Sequence, residues 1–268
     1  MQPSLSTPLR IAAAQSASVA GDLERNVQTH LAFVRMAAYE RVQVLVFPEL
    51  SLTGYEPHLL ADHVLAPDHP ALAPLCQAAR DHAMTLVVGA PAPAAQAPDA
   101  GAGPALPAIG AWVLGPEGSV GLYRKRHLHA SEASFASAGT EDAAVQLLAG
   151  EPVGVAVCAD LTHPEHAQAA RDAGAALYVA SALVSERGYG PESAQLEGYA
   201  RQLDMGVLLA NYSGRTGGYA SAGRSAFWAP GGRCVAAAPD DAPCMVWAAR
   251  GDSGWTGGVV ELQAWTAA

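Results

Sequence analysis

The sequence predicts an α/β fold. Three observations lead to it: apolar runs of strand length recur along the chain, amphipathic or helix-forming stretches separate them, and the composition suits a large core. With 268 residues, 50% hydrophobic and only 15% charged side chains, the chain is long enough to bury most of its apolar surface in one domain. All of residues 1–268 is read as that domain, with two smaller domains as the alternative that length leaves open.

Residues 9–15 form a short apolar run ending at Gln15, which fits a first strand. Asp22 offers an N-cap, and Leu23, Val27, Leu31, Val34 and Ala38 fall at helical spacing, with Glu24, Arg25, Gln28 and Arg35 off that stripe. Residues 42–47 are a continuous β-branched and aliphatic run, the pattern of a strand buried on both faces, and Pro48 ends it. The order thus begins β-α-β. Residues 71–84 have helix-forming composition and 85–90 read as another buried strand. Residues 91–107, rich in Ala, Pro and Gly, read as a loop. Residues 108–114 and 119–124 flank a Gly115-Pro116-Glu117-Gly118 turn and predict a hairpin. Residues 153–157 form a third strongly apolar strand, and Pro164 suits the first turn of the helix that follows. Strands at 177–181 and 207–211 enclose a helix at 192–204, and 225–237 read as a late hairpin around Gly231-Gly232.

Charge narrows the partners. The formal net charge of −10, from 15 basic and 25 acidic residues, repels phosphate backbones and anionic lipid, so neither nucleic acid nor a membrane is an expected partner. Pro and Gly interrupt every candidate for the roughly 18 apolar residues that a spanning helix needs. The N-terminus has no basic residue before Arg10, and Gln15, Ser16 and Ser18 break the apolar run after it, so a secretory signal is not expected even though Ala17-Ser18-Val19-Ala20 imitates a cleavage site. The expected compartment is cytoplasmic. Cys76, Cys158, Cys234 and Cys244 are scattered, without Cys-x-x-Cys or close His pairing, and are read as free thiols with no metal.

Several strand ends carry polar or reactive groups: Glu49, Cys158, Ser181 and Asn211, which one sheet edge would gather. Glu49, closing an apolar strand, is either a solvated turn carboxylate or a base with a raised pKa. Cys158 lies between a strand and a helix, where a sharp turn lifts a side chain clear of the backbone; it is either a core thiol or a nucleophile. The segment Tyr123-Arg124-Lys125-Arg126-His127 is the densest positive charge in an acidic chain. It reads either as a solvated strand edge or, because Lys125 alternates with its neighbours, as an edge with Lys125 turned inward.

Three stretches in order resemble the nitrilase superfamily of carbon–nitrogen hydrolases: Phe47-Pro48-Glu49-Leu50-x-Leu52-Thr53-Gly54-Tyr55, Tyr123-Arg124-Lys125-x-His127-Leu128, and Gly154-x-Ala156-Val157-Cys158-x-Asp160 with Pro164-Glu165. The resemblance covers essentially the whole chain. It implies a four-layer α-β-β-α sandwich and a Glu49, Lys125 and Cys158 triad, with Glu132 as a second glutamate that holds Lys125 and positions substrate. It implies that Cys158 forms a thioester, that Glu49 moves the protons, and that Lys125 and the backbone N–H of Ala159 stabilise the oxyanion. Asp160 is expected to orient the turn as a hydrogen-bond acceptor.

Departures from the family pattern fall around the pocket. Ala159 stands where an aromatic residue is frequent, Thr162 and His163 where Arg and Phe are frequent, and the Ser181-Ala182-Leu183-Val184 loop lacks an aromatic. Tyr55, His129, Ser181 and Ala182 are the candidate pocket residues. The expected activity is hydrolysis of a small amide to acid and ammonia, with no cofactor and with a homodimer or higher homo-oligomer as the assembly. Nitrile hydrolysis or N-carbamoyl amidohydrolysis are the alternatives on the same scaffold, and a catalytically silent binding or assembly protein is the alternative of another class.

Overall fold

The computed structural model describes residues 9–95, 105–140 and 145–262. The first half runs β1 (Arg10–Gln15), α1 (Leu23–Tyr39), β2 (Val44–Val46), α2 (Ala73–Asp81), β3 (Thr85–Ala92), β4 (Ala108–Leu114), β5 (Val120–Arg124) and β6 (Val145–Leu148). The second runs β7 (Glu151–Val157), α3 (Pro164–Asp172), β8 (Leu177–Ala182), α4 (Glu186–Gln202), β9 (Gly206–Asn211), β10 (Arg215–Thr216), β11 (Tyr219–Ala220), β12 (Ala226–Trp228), β13 (Cys234–Ala237), β14 (Cys244–Gly251) and β15 (Gly254–Glu261).

Two large mixed sheets result, in the orders β15-β14-β1-β2-β3-β4-β5 and β13-β12-β9-β8-β7-β6. Parallel pairs β1/β2/β3 and β7/β8/β9 form their centres, and antiparallel strands flank them. The period-two alternation of each strand decides the layers. Ile11, Ala13, Val44, Val46 and Val87 point between the sheets, where they join Val155, Val179 and Leu208 in one core. Ala12, Ala14, Leu45, Leu86 and Trp112 point outward and pack with Phe33, Met36, Leu75 and Ala79 of α1 and α2. Helices α3 and α4 contact β7 and β9 on the far side of the second sheet. The architecture is therefore the expected four-layer α-β-β-α sandwich, and no helix among the described residues is long and apolar enough to cross a membrane.

Several elements differ from the sequence expectation. The buried side of α1 is Asn26, Val27, His30, Phe33, Val34, Met36 and Ala37, whereas Leu23, Leu31 and Ala38 are only half-buried. The face is rotated because two polar residues have work inside. The Asn26 amide donates to Leu52 O at 2.8 Å, and His30 Nε2 meets Ser51 Oγ at 2.9 Å while its ring stacks on Phe47. Burial lowers the His30 pKa to about 4, so the ring is a neutral strut. β3 extends through Pro91 and Ala92 into the stretch expected as a loop; of that loop, residues 96–104 lie outside the described residues. Helix α4 starts at Glu186, not Glu192, despite Pro191, because Ser185 caps it by accepting from Gly188 N at 3.3 Å. β6 and the β14–β15 hairpin had no counterpart in the sequence reading.

Candidate active site

The four polar strand ends do not share one sheet edge. Glu49 follows β2 of the first sheet, whereas Cys158, Ser181 and Asn211 belong to the second, and the ends meet where the sheets face each other. Ser181 is the tie: its Oγ donates to Phe47 O at 2.8 Å, two residues before Glu49. Asn211 caps a loop, accepting from Val184 N at 2.7 Å.

Pro48 stops the β2 run and the chain turns at once, with Leu50 at φ +50°. The turn lies against Gly89 of β3 so closely that a Cβ there would stand 2.2 Å from Pro48 O and 2.4 Å from Leu50 N. Only glycine permits that approach. Glu49 is thereby held on a rigid mount at 0% exposure.

Lys125 directly follows β5, and its own N–H still pairs with Ile109 O at 2.8 Å. It is fully buried while Arg124 and Arg126 are half-buried, so the inward orientation drawn from alternation is the one observed. Its Nζ donates to Glu49 Oε1 at 2.8 Å and Glu132 Oε1 at 2.7 Å. Glu132 also accepts from Tyr55 OH at 2.7 Å and from His129 N at 2.8 Å. Both Glu132 oxygens are therefore engaged. Glu49 Oε2, in contrast, is buried with no hydrogen-bond partner, a state shared among the described residues only with Ser16 Oγ and Trp112 Nε1.

Cys158 closes β7 at φ +43°, in the left-handed region that a non-glycine residue adopts at a cost. Asp160 holds that turn. Its carboxylate accepts from Val157 N, Tyr123 OH, His127 N and His127 Nδ1, at 3.0, 2.6, 2.8 and 2.9 Å. Because these donors come from both the Cys158 turn and the segment carrying Lys125, Asp160 fixes the two relative to each other, as the sequence reading expected of it. Cys158 Sγ lies 3.7 Å from His129 Nε2 and 3.8 Å from Leu183 O.

Three buried charges decide the electrostatics. One ammonium faces two carboxylates, which leaves one negative charge uncompensated if both ionise. Burial, opposed by Lys125 and assisted by Glu132, pushes the Glu49 pKa up to about 7. Burial alone would lower Lys125, but Glu49, Cys158 and Glu132 outweigh it and hold the ammonium protonated. Burial and then the Glu49 charge raise the Cys158 thiol well above its ordinary value, so the sulfur rests as a thiol and requires a base to react. Burial and Lys125 lower His129, which keeps that imidazole neutral.

A cavity of about 240 Å³ opens onto these groups. Its floor is Glu49, Tyr55 and Cys158, its wall His129 and Leu183, and its rim Ser131, Ser185, Glu192 and Tyr219. Tyr55 and His129 thus line it as expected. Ser181 and Ala182 do not: both are wholly buried, Ser181 is spent on Phe47 O, and the lining from that loop is Leu183. Glu132 also stays behind the lining and reaches the cavity only through Tyr55, His129 and Lys125. The rim residues were missed in the sequence because they come from three separate segments, the loop at Ser131, the first turns of α4 and strand β11, far apart along the chain. Only Ser185, a Ser-Glu cap signal, carried a local cue. Away from the cavity, His127 and His163 stack at 3.8 Å, and with Glu165 they place ligand-type atoms within 4.8 Å of one another, a pairing that sequence separation hid.

The family profile for Carbon-nitrogen hydrolase matches residues 10–249. The chain belongs to the carbon–nitrogen hydrolase family. Its fold is similar to that of the amidase from Nesterenkonia sp. AN1. One structure of that amidase, a glutamate-to-glutamine mutant with the acetamide moiety of fluoroacetamide added covalently at the active site cysteine, has a TM-score of 0.81 at 24% identity, covering 93% of each chain. A second, showing Michael addition of acrylamide at the active site cysteine, has a TM-score of 0.78 at 25% identity, covering 89% of this chain and 92% of that one. A third, a mutant in complex with butyramide, has a TM-score of 0.79 at 23% identity, covering 91% of each.

Proposed function

We propose that the protein hydrolyses a small amide to acid and ammonia through a thioester on Cys158, with Glu49 as the base and Lys125 as the oxyanion's cation. The single observation that carries the assignment of base is the unpartnered Glu49 Oε2. Of two buried carboxylates on one ammonium, Glu132 has donors on both oxygens and Glu49 has an acceptor to spare. A pKa near 7 suits that acceptor to taking a proton and returning it.

In the acylation step the Cys158 proton passes to Glu49 Oε2 as Sγ bonds to the amide carbon. The carbonyl oxygen becomes an oxyanion. Lys125 has three N–H bonds and spends two on Glu49 and Glu132, so one remains to donate to that oxygen beside the Ala159 N–H. The C–N bond breaks as Glu49 gives its proton to the leaving nitrogen, and ammonia departs. Glu49 then draws a proton from water, whose oxygen attacks the thioester carbon; the acid leaves and the proton returns to the sulfur. The small cavity, and the fluoroacetamide and acrylamide adducts and butyramide complex of the structural relative, favour short amides over the nitrile and carbamoyl alternatives.

Ammonia release from a panel of short amides tests the proposal, with intact mass under acid quench. The wild type is expected to release ammonia and carry an acyl adduct, and Cys158→Ala is expected to do neither while keeping its fold. Turnover by Cys158→Ala at the wild-type rate would overturn it.

A further inference from the structure

We propose that the cavity selects amides that carry a positive charge at the end remote from the scissile bond, the ω-ammonio amides, through Glu192 and the Tyr55–Tyr219 pair. The inference rests on the amide-hydrolase reading above and names its substrate class.

Glu192 lines the rim of the cavity whose floor holds Cys158. It makes no hydrogen bond or ion pair with any described residue, although ion pairs engage other acids of α4 such as Glu197 with Arg201. Its pKa is raised, and burial is the cause: no neighbouring cation offsets the loss of water. A half-buried carboxylate without a partner in a catalytic cavity is a charge waiting for its complement.

The backbone places it there. Glu192 lies four residues after Gly188 on α4, and a Cβ on Gly188 would stand 2.6 Å from Glu192 Oε1. The missing side chain at Gly188 is what lets the carboxylate fold back along the helix towards Ser185 and the cavity mouth. In the same cavity the Tyr55 ring of the floor and the Tyr219 ring of the rim meet edge to face with centroids 5.8 Å apart, and Tyr219 is 46% exposed. A carboxylate and aromatic rings lining one cavity make a site for an alkylammonium, which gains both an ion pair and ring-face attraction.

The rest of the lining agrees. No Lys or Arg is among the described residues that line the cavity; Lys125 sits at the Glu49 end, bound to Glu49 and Glu132, away from the Glu192 rim, and the lowered pKa of His129 makes it neutral. An anionic ω-group would meet Glu192 with nothing to hold it. At about 240 Å³ the cavity lies below the roughly 300–1,000 Å³ of pockets for drug-sized ligands, which sets a short alkyl spacer between amide and ammonium.

The test compares kcat/KM for δ-aminovaleramide, its neutral isostere hexanamide and the anionic monoamide of adipic acid, in the wild type and in Glu192→Gln. The wild type is expected to prefer the ammonio amide over hexanamide by about tenfold or more, with the anionic amide slowest, and Glu192→Gln is expected to shrink the ratio to within about threefold. Calorimetric binding of δ-aminovaleramide to Cys158→Ala, with and without Glu192→Gln, reads the same preference without turnover. Hexanamide turned over as well as the ammonio amide, or a preference that survives Glu192→Gln, overturns the inference and leaves the hydrolase reading standing. Failure of all three amides to acylate Cys158 overturns both.

Discussion

Replacing Glu132 by Gln removes one of the two carboxylates on the Lys125 ammonium and changes the pKa of the other. The two oxygens lie 2.8 and 2.7 Å from the same nitrogen, so they are at most about 5.5 Å apart. At an effective dielectric near 20, like unit charges at that distance repel by about 3 kcal/mol, or ~2 pH units. Glu49 carries an upward push from Glu132 in the native protein, and removing it lowers the Glu49 pKa from about 7 by ~1–2 units. The amide oxygen of the new side chain satisfies only part of the Lys125, Tyr55 and His129 donor set, so kcat falls as well. The diagnostic is the acid limb of kcat/KM against pH: its midpoint moves to lower pH in Glu132→Gln whatever the absolute rate. A midpoint that stays in place or rises would refute the charge-coupled account of Glu49.

Three further outcomes follow from the same geometry. Lys125→Met abolishes turnover and destabilises the fold by up to about 3–5 kcal/mol, because it strands two buried carboxylates, whereas Arg124→Ala and Arg126→Ala keep activity within a few-fold; rates and urea midpoints check this. Gly89→Ala costs about 1–3 kcal/mol or more and lowers kcat, since the added carbon must displace the turn that carries Glu49; thermal melting and turnover report the two effects. Glu49→Gln stabilises the protein only above mildly acidic pH. With a folded pKa of about 7 against an ordinary 4.5, wild-type Glu49 is protonated in both states below the ordinary value and adds no cost. As pH rises from the ordinary 4.5 to about 7 the unfolded chain ionises while the folded one stays protonated, and the wild type loses ~3 kcal/mol, a loss complete above 7, so the gain in the variant is full at pH 8 and vanishes at pH 4 in denaturant titrations.

The elements most visible in the sequence were those whose burial is two-sided. Residues 42–47 and 153–157 read as strands because nothing polar interrupts them, and the residues that end them are the ones the structure brings together. The inward turn of Lys125 was one of the two readings that alternation left open, and it is the one observed. What stayed hidden depends on contacts between distant segments. The apolar stripe read on α1 leaves out Asn26 and His30, because their partners, Leu52 and Ser51, lie in the Glu49 turn. Ser181 looked like a pocket residue because a hydroxyl at a strand end is ordinarily free, and its tie to Phe47 crosses between sheets. The helix expected from residue 192 begins nearly two turns earlier, at the Ser185 cap, with Pro191 inside it. The place of Glu192 on the cavity rim follows from that shift.

The proton path from Cys158 to Glu49 is the central claim, and alkylation of Cys158 by iodoacetamide measures it most directly, with peptide mass spectrometry separating this thiol from Cys76, Cys234 and Cys244. The alkylation rate of wild-type Cys158 is expected to rise with a midpoint near pH 7, following Glu49, and in Glu49→Gln to rise only far above that, following the raised thiol itself. The same profile in both proteins would contradict the account.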